Sequence, residues 1–215
     1  MSKILLEEKY VLEYIRDMLS TLKTGAKEVT DARYHHNASY EKIPSILRNG
    51  ILSLLETNKL GITKYTDQDL DILNDITSHV NGNDSISLSV VGLTDLYPNE
   101  DEYNPYSPNY VDLIISSDVK ARRSSTRYGN EFLVKDKIST DKIKAVDTRL
   151  LRLMEEKRYD VKVIIEKYNH LREIALIIKE LNLDVLLREM SEDNLTFDID
   201  KVSKTSQIVL KPKNK

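Results

Sequence analysis

Tyr34-His35-His36-Asn37-Ala38-Ser39-Tyr40-Glu41-Lys42-Ile43-Pro44-Ser45-Ile46-Leu47-Arg48-Asn49-Gly50-Ile51-Leu52 is the stretch that decides the fold. From Arg33 to Ser39 it is aromatic and polar, and it reads as a short strand entering a turn. Glu41 to Asn49 reads as a helix, because Ile43, Ile46 and Leu47 lie at helical spacing. Pro44 suits a first turn, where its missing N–H is no loss, and Asn49-Gly50 makes a C-cap.

On the N-terminal side of this stretch, residues 3–23 predict an amphipathic helix with Leu5, Leu12, Ile15, Leu19 and Leu22 on one side and Thr24-Gly25 as its stop. Residues 66–78 predict a short helix, and Asn81-Gly82-Asn83-Asp84 a turn. Ser85 to Val91 alternates as a strand does. Residues 92–109, with three prolines and three tyrosines, predict a long polar loop, a lid in functional terms. Strands are expected at Tyr110–Ser116, Glu131–Val134 and Ile143–Val146, with a basic loop from Lys120 to Gly129 between the first two. Residues 161–190 predict helix, and Leu195–Ile199 and Gln207–Leu210 two short closing strands. The expected fold class is α+β in a single domain: an N-terminal helix (1–30), a strand-rich core (31–147) and a helical C-terminal part (148–215).

Composition narrows the chemistry. Of 215 residues, 40% are hydrophobic and 31% charged, the signature of a chain that folds. A net charge of −3 gives no global pull toward polyanions, so any such site must be a local patch. With no cysteine, disulfides, thiolate nucleophiles and cysteine-ligated zinc are excluded, which fits a reducing compartment. Glu7 and Glu8 break the N-terminal apolar stretch too early for a signal peptide, and no apolar run has membrane-spanning length. The expected location is the cytoplasm, with no membrane partner. The four histidines, at 35, 36, 79 and 170, include no i, i+4 pair, so no metal site is expected. Six scattered glycines offer no phosphate-binding loop, and no nucleophile elbow is present.

A His-bearing strand, the Ser87-Leu88-Ser89 strand and Glu131 opening a late strand remain. Each alone is ordinary: a sheet edge, a solvent-facing alternation, a surface carboxylate. In order, they resemble a family. The segment Tyr34–Leu52 resembles the first motif of the ADP-ribosyltransferase superfamily, in which a strand-borne His precedes a helix of pattern Leu-Pro-Ser-Ile-Leu-x-x-Gly-Leu/Ile. Counting back from Pro44, the family's His falls on His36, and Ala38 stands where the family usually has Thr. The run from Asn130 through Glu131-Phe132-Leu133-Val134 to Ile143 is similar to the catalytic-Glu strand of the DarT-type, DNA-modifying branch, with Ser139 in place of its usual proline. Ser87-Leu88-Ser89 occupies the place of the superfamily's middle strand.

The resemblance, spanning residues 33–147, implies a split β-sheet core and NAD as a substrate, with no metal. It implies Glu131 as the catalytic carboxylate, His36 as the residue that orients NAD, and Asn37, Ala38, Ser87 and Ser89 around the dinucleotide. Arginine-modifying members carry Glu or Gln where this chain has Gly129, so arginine is disfavoured as the acceptor. Arg122, Arg123, Arg127 and Tyr128 in the preceding loop suit a phosphate backbone and a stacked base, which favours a DNA or RNA acceptor over a protein one. A toxin or defence factor with an antitoxin partner is the biological setting the branch implies. Two alternatives stay open: an RNA 2′-phosphotransferase-like enzyme, using Arg48 and Arg123, and a non-catalytic NAD- or nucleic-acid-binding module, which Ala38 favours.

Overall fold

Apolar residues that reach the core set the element boundaries. The computed structural model describes residues 2–64, 66, 83–90, 110–124, 131–155, 160–190 and 195–212. Strand β1 (Lys3–Leu6) leads into helix α1 (Glu8–Leu22), which buries Val11, Ile15, Leu19 and Leu22 at helical spacing. Strands β2 (Lys23–Ala26) and β3 (Ala32–Ser39) follow, then a single 3-10 turn at Tyr40–Lys42 and helix α2 (Ile43–Asn49) with Pro44 in its first turn. Next come β4 (Ile51–Leu52), helix α3 (Leu54–Lys59) capped by the Ser53 side chain, β5 (Ser85–Val90), β6 (Tyr110–Ser116) and β7 (Arg122–Arg123). Strands β8 (Glu131–Lys135), β9 (Lys137–Ile138) and β10 (Ile143–Thr148) precede helix α4 (Leu150–Glu155) and the long helix α5 (Val161–Glu180). Strands β11 (Leu186–Glu189) and β12 (Leu195–Phe197), helix α6 (Ile199–Lys204) and β13 (Gln207–Leu210) complete the order.

The fold is a mixed α+β arrangement around a nine-stranded sheet of order β2-β12-β11-β10-β6-β3-β5-β8-β7. Only β10 and β11 pair in parallel; the other neighbours are antiparallel. Two small sheets stand apart, β1 with β13 in parallel and β4 with β9 antiparallel. Helix α5 ties the helical layer together, packing on α1, α2, α4, α6 and β13. It buries Ile164, Tyr168, Leu171, Ala175 and Ile178, the stripe its periodicity predicts. Tyr168 donates its hydroxyl to the Ser206 carbonyl, and burial pushes its ionisation up to about 12.

Three expected boundaries are corrected. The helix expected over 3–23 begins only at Glu8, because Lys3–Leu6 pairs with Gln207–Leu210; Leu5, counted in the helical stripe, is 54% exposed. The helix expected over 161–190 stops at Glu180, where Asn182 takes a positive φ of 48°. Leu186–Glu189 then joins the main sheet beside β10, so the C-terminal part contributes strands to that sheet as well as helices. The strand expected to Ile199 ends at Phe197, since the Asp198 side chain caps α6. The helix expected over 66–78 (Thr66 excepted), the lid at 92–109, and Arg127 and Tyr128 lie outside the described residues. Among the described residues, no helix is long and apolar enough to cross a membrane.

Candidate functional site

Strands β3, β5 and β8 are consecutive neighbours in the sheet, so the three segments singled out in the sequence lie side by side. Among the described residues, the ladder between β3 and β5 pairs Tyr34 with Val90 and His35 with Ser89 and does not run on to His36 and Leu88. On its other flank, β3 pairs with β6 along its length from Ala32 to Ser39. The sheet therefore loosens between β3 and β5, and a side chain bridges the gap. His36 Nδ1 lies 2.9 Å from the Ser87 carbonyl oxygen.

A carbonyl only accepts, so Nδ1 carries the hydrogen and the neutral ring presents Nε2 as an acceptor. Burial of the ring pushes the His36 pKa below its ordinary value, with the Ser87 carbonyl opposing that shift. Burial is the larger effect and leaves a neutral imidazole whose Nε2 has no hydrogen-bond partner among the described residues.

Ser87 is engaged at its other end as well. Its hydroxyl donates to Glu131 Oε1 at 2.6 Å. Glu131 opens β8 and pairs across β5 with Ser89, which in turn pairs with His35. His36 and Glu131, far apart in sequence, thus both touch Ser87, one at its backbone and one at its side chain. A carboxylate oriented by a hydroxyl can hold or accept a proton from a ligand hydroxyl, and the imidazole Nε2 can accept another.

The other sequence candidates are placed as follows. Asn37 pairs with Asp112 on β6, and its Oδ1 is buried without a hydrogen-bond partner among the described residues. Ala38 is buried and supplies no hydroxyl. Arg122 and Arg123 form β7 at the sheet edge, exposed, opposite Leu133 and Phe132. Two residues near the strand were missed. His35 has its Nδ1 at 3.8 Å from Asp112 Oδ1 and its Nε2 buried without a partner among the described residues. Arg33 lies over the Tyr34 and Phe132 rings, 5.3 and 5.8 Å from their centroids, beside Glu131's own strand. The adjacent histidine and the arginine three residues before His36 were the available signals.

The helix of the first motif is locked by a glycine. Gly50 has φ of +84°, and a Cβ there would meet the Ile138 carbonyl oxygen at 2.3 Å. Only glycine lets the end of α2 press against β9, which follows the Glu131 strand almost directly. An open groove of about 690 Å³, lined by α5 and β13 and including His170 and Arg172, shares no residue with this set.

The chain matches no protein-family model, no curated protein and no solved structure.

Proposed function

We propose that this chain is an NAD-dependent ADP-ribosyltransferase, built on a split-sheet core of the superfamily's kind and acting on nucleic acid in preference to protein. The observation that carries the proposal is the double engagement of Ser87, by His36 at 2.9 Å and Glu131 at 2.6 Å.

In this reading, the bond between nicotinamide and ribose breaks and nicotinamide leaves with the electron pair. Positive charge builds on the ribose as in glycoside cleavage. The Glu131 carboxylate, held by Ser87, stabilises that charge through the ribose 2′-hydroxyl. It also receives the proton that the acceptor nucleophile loses on bonding to the ribose. His36 Nε2 accepts from a second ribose hydroxyl and fixes the dinucleotide against β3. Arg122 and Arg123, at the end of the sheet where β8 lies, suit the phosphates of the acceptor. A host-directed toxin or defence role, with an antitoxin partner, is what the resemblance to the DNA-modifying branch implies.

A second reading is a binding module without turnover. Ala38 favours it, because the buried methyl replaces a hydroxyl that would help hold the nicotinamide end.

The deciding experiment incubates the chain with labelled NAD and separate pools of DNA, RNA and protein. The expected outcome is nicotinamide release with label on nucleic acid, lost in Glu131→Ala. Calorimetric NAD binding with no release under any acceptor would establish the binding module instead. Equal release by wild type and Glu131→Ala would remove the catalytic assignment.

A further inference from the structure

The two-stranded sheet of β1 and β13 is finished on one edge and open on the other. In a parallel pair, alternate residues of each strand turn their N–H and C=O toward the partner. The Gln207 N–H donates to the Ser2 carbonyl and the Lys211 N–H to the Leu6 carbonyl, so Ser2, Ile4 and Leu6 face β13. On the far side of β13, Ile208 is closed off by a side chain acting as a strand would. Asn169 donates its amide to the Ile208 carbonyl at 3.0 Å and accepts the Ile208 N–H at 3.0 Å. Tyr168 does the same for the Ser206 carbonyl at 3.1 Å.

The outer edge of β1 has no such cover. By the same alternation, Lys3 and Leu5 turn their backbone groups away from β13, and among the described residues no strand runs beside them. Lys3, Leu5 and Glu7 all lie exposed on one side, Leu5 at 54%. Glu7 keeps extended backbone angles, φ −75° and ψ 144°, so its N–H continues the pairable edge, while its carbonyl already accepts the Tyr10 N–H at 3.0 Å as α1 begins.

The sequence of this edge is complementary to itself. In an antiparallel pairing centred on Leu5, Leu5 meets Leu5 of a second copy, and Lys3 meets Glu7 in two symmetry-related places. A parallel pairing in register would set Lys3 against Lys3 and Glu7 against Glu7. Opposite charges directly across a ladder stabilise it, and like charges oppose it. Isologous contacts of this kind close on themselves at two copies.

We propose that the open edge of β1 binds the β1 edge of a second copy of this chain, antiparallel about Leu5, giving a four-stranded β13-β1-β1-β13 sheet across a two-fold axis. The edge is short, so the buried area falls well below that of a stable dimer, roughly 1,600 Å². The dimer is therefore a weak one, governed by concentration.

Sedimentation velocity over a rising concentration series tests this on the full chain. The wild type should shift from monomer toward dimer. Lys3→Glu should weaken self-association by roughly tenfold, because two attractive pairs become repulsive. The double variant Lys3→Glu/Glu7→Lys should restore it, and Leu5→Lys should abolish it. Circular dichroism of each variant checks that the fold is retained. A wild type that stays monomeric throughout overturns the proposal. So does a dimer indifferent to Lys3→Glu, or one that the charge exchange fails to rescue.

Discussion

Strand β3 is held differently on its two flanks. Toward β6, it is bound by a full backbone ladder backed by buried ion pairs. Arg149 donates to Asp112 at 2.6 Å, Arg188 grips Asp147 with two nitrogens, and Glu189 accepts from Thr148 and from the first N–H groups of α4. Toward β5 there are, among the described residues, two ladder pairs, and then contacts made by side chains, His36 to Ser87 and Ser87 to Glu131. One flank is a scaffold; the other is adjustable. A site that must grip a ligand and release a product is expected on the adjustable flank, positioned by the rigid one.

The largest effect is expected on the scaffold side. Asp112→Ala takes from the buried Arg149 guanidinium the carboxylate to which it donates at 2.6 Å. Removing one partner of a buried pair costs about 3–5 kcal/mol, so urea unfolding should show a loss of that size. On the adjustable side, Glu131→Ala should change stability little yet lower nicotinamide release on the order of 10²–10³-fold. Thermal unfolding beside a release assay separates the two. A large stability loss in Glu131→Ala would make that carboxylate part of the scaffold and erase the contrast. Gly50→Ala should come next, at about 2–3 kcal/mol, since its methyl would overlap the Ile138 carbonyl and its φ is positive. Its cost should appear in stability, with activity per folded molecule nearly kept.

How far this contrast was legible in the sequence depended on how local each signal was. The β3–α2 unit was readable because strand alternation, the proline in the first turn and the Asn49-Gly50 cap all act within a few residues. Strands β5, β6, β8 and β10 were readable from alternation and apolar runs. Strands β1 and β11 were not, because Ile4, Leu5 and Leu187 extend neighbouring helical stripes, and only pairing with distant β13 and β10 settles their conformation. Within the site, His36, Ser87 and Glu131 were named from the sequence. The buried pairs Asp112–Arg149 and Asp147–Arg188 were not, since a charged residue in a strand gives no sign of which distant guanidinium will meet it. Scaffold electrostatics are a tertiary property, and the site's residue types are a local one.

The smallest predicted effect sharpens the contrast on the adjustable flank. Burial lowers the His36 pKa in the folded chain from its ordinary 6.5. Between that lowered value and 6.5, the unfolded chain binds more protons than the folded one, so stability falls as the solution is acidified through this window. At neutral pH the contribution is fully present. Urea unfolding at pH 7.5 and at pH 5.5 should therefore show the wild type losing stability on acidification, and His36→Gln losing less. The folded ring takes up its proton only as the pH falls through the lowered value, which puts a hydrogen on Nε2 and removes the acceptor offered to a ribose hydroxyl, so NAD binding should weaken there, below the stability window, in the wild type alone. If stability and binding fall equally in His36→Gln, the titrating group lies elsewhere, and the imidazole that spans β3 and β5 is a fixed strut rather than a ligand contact.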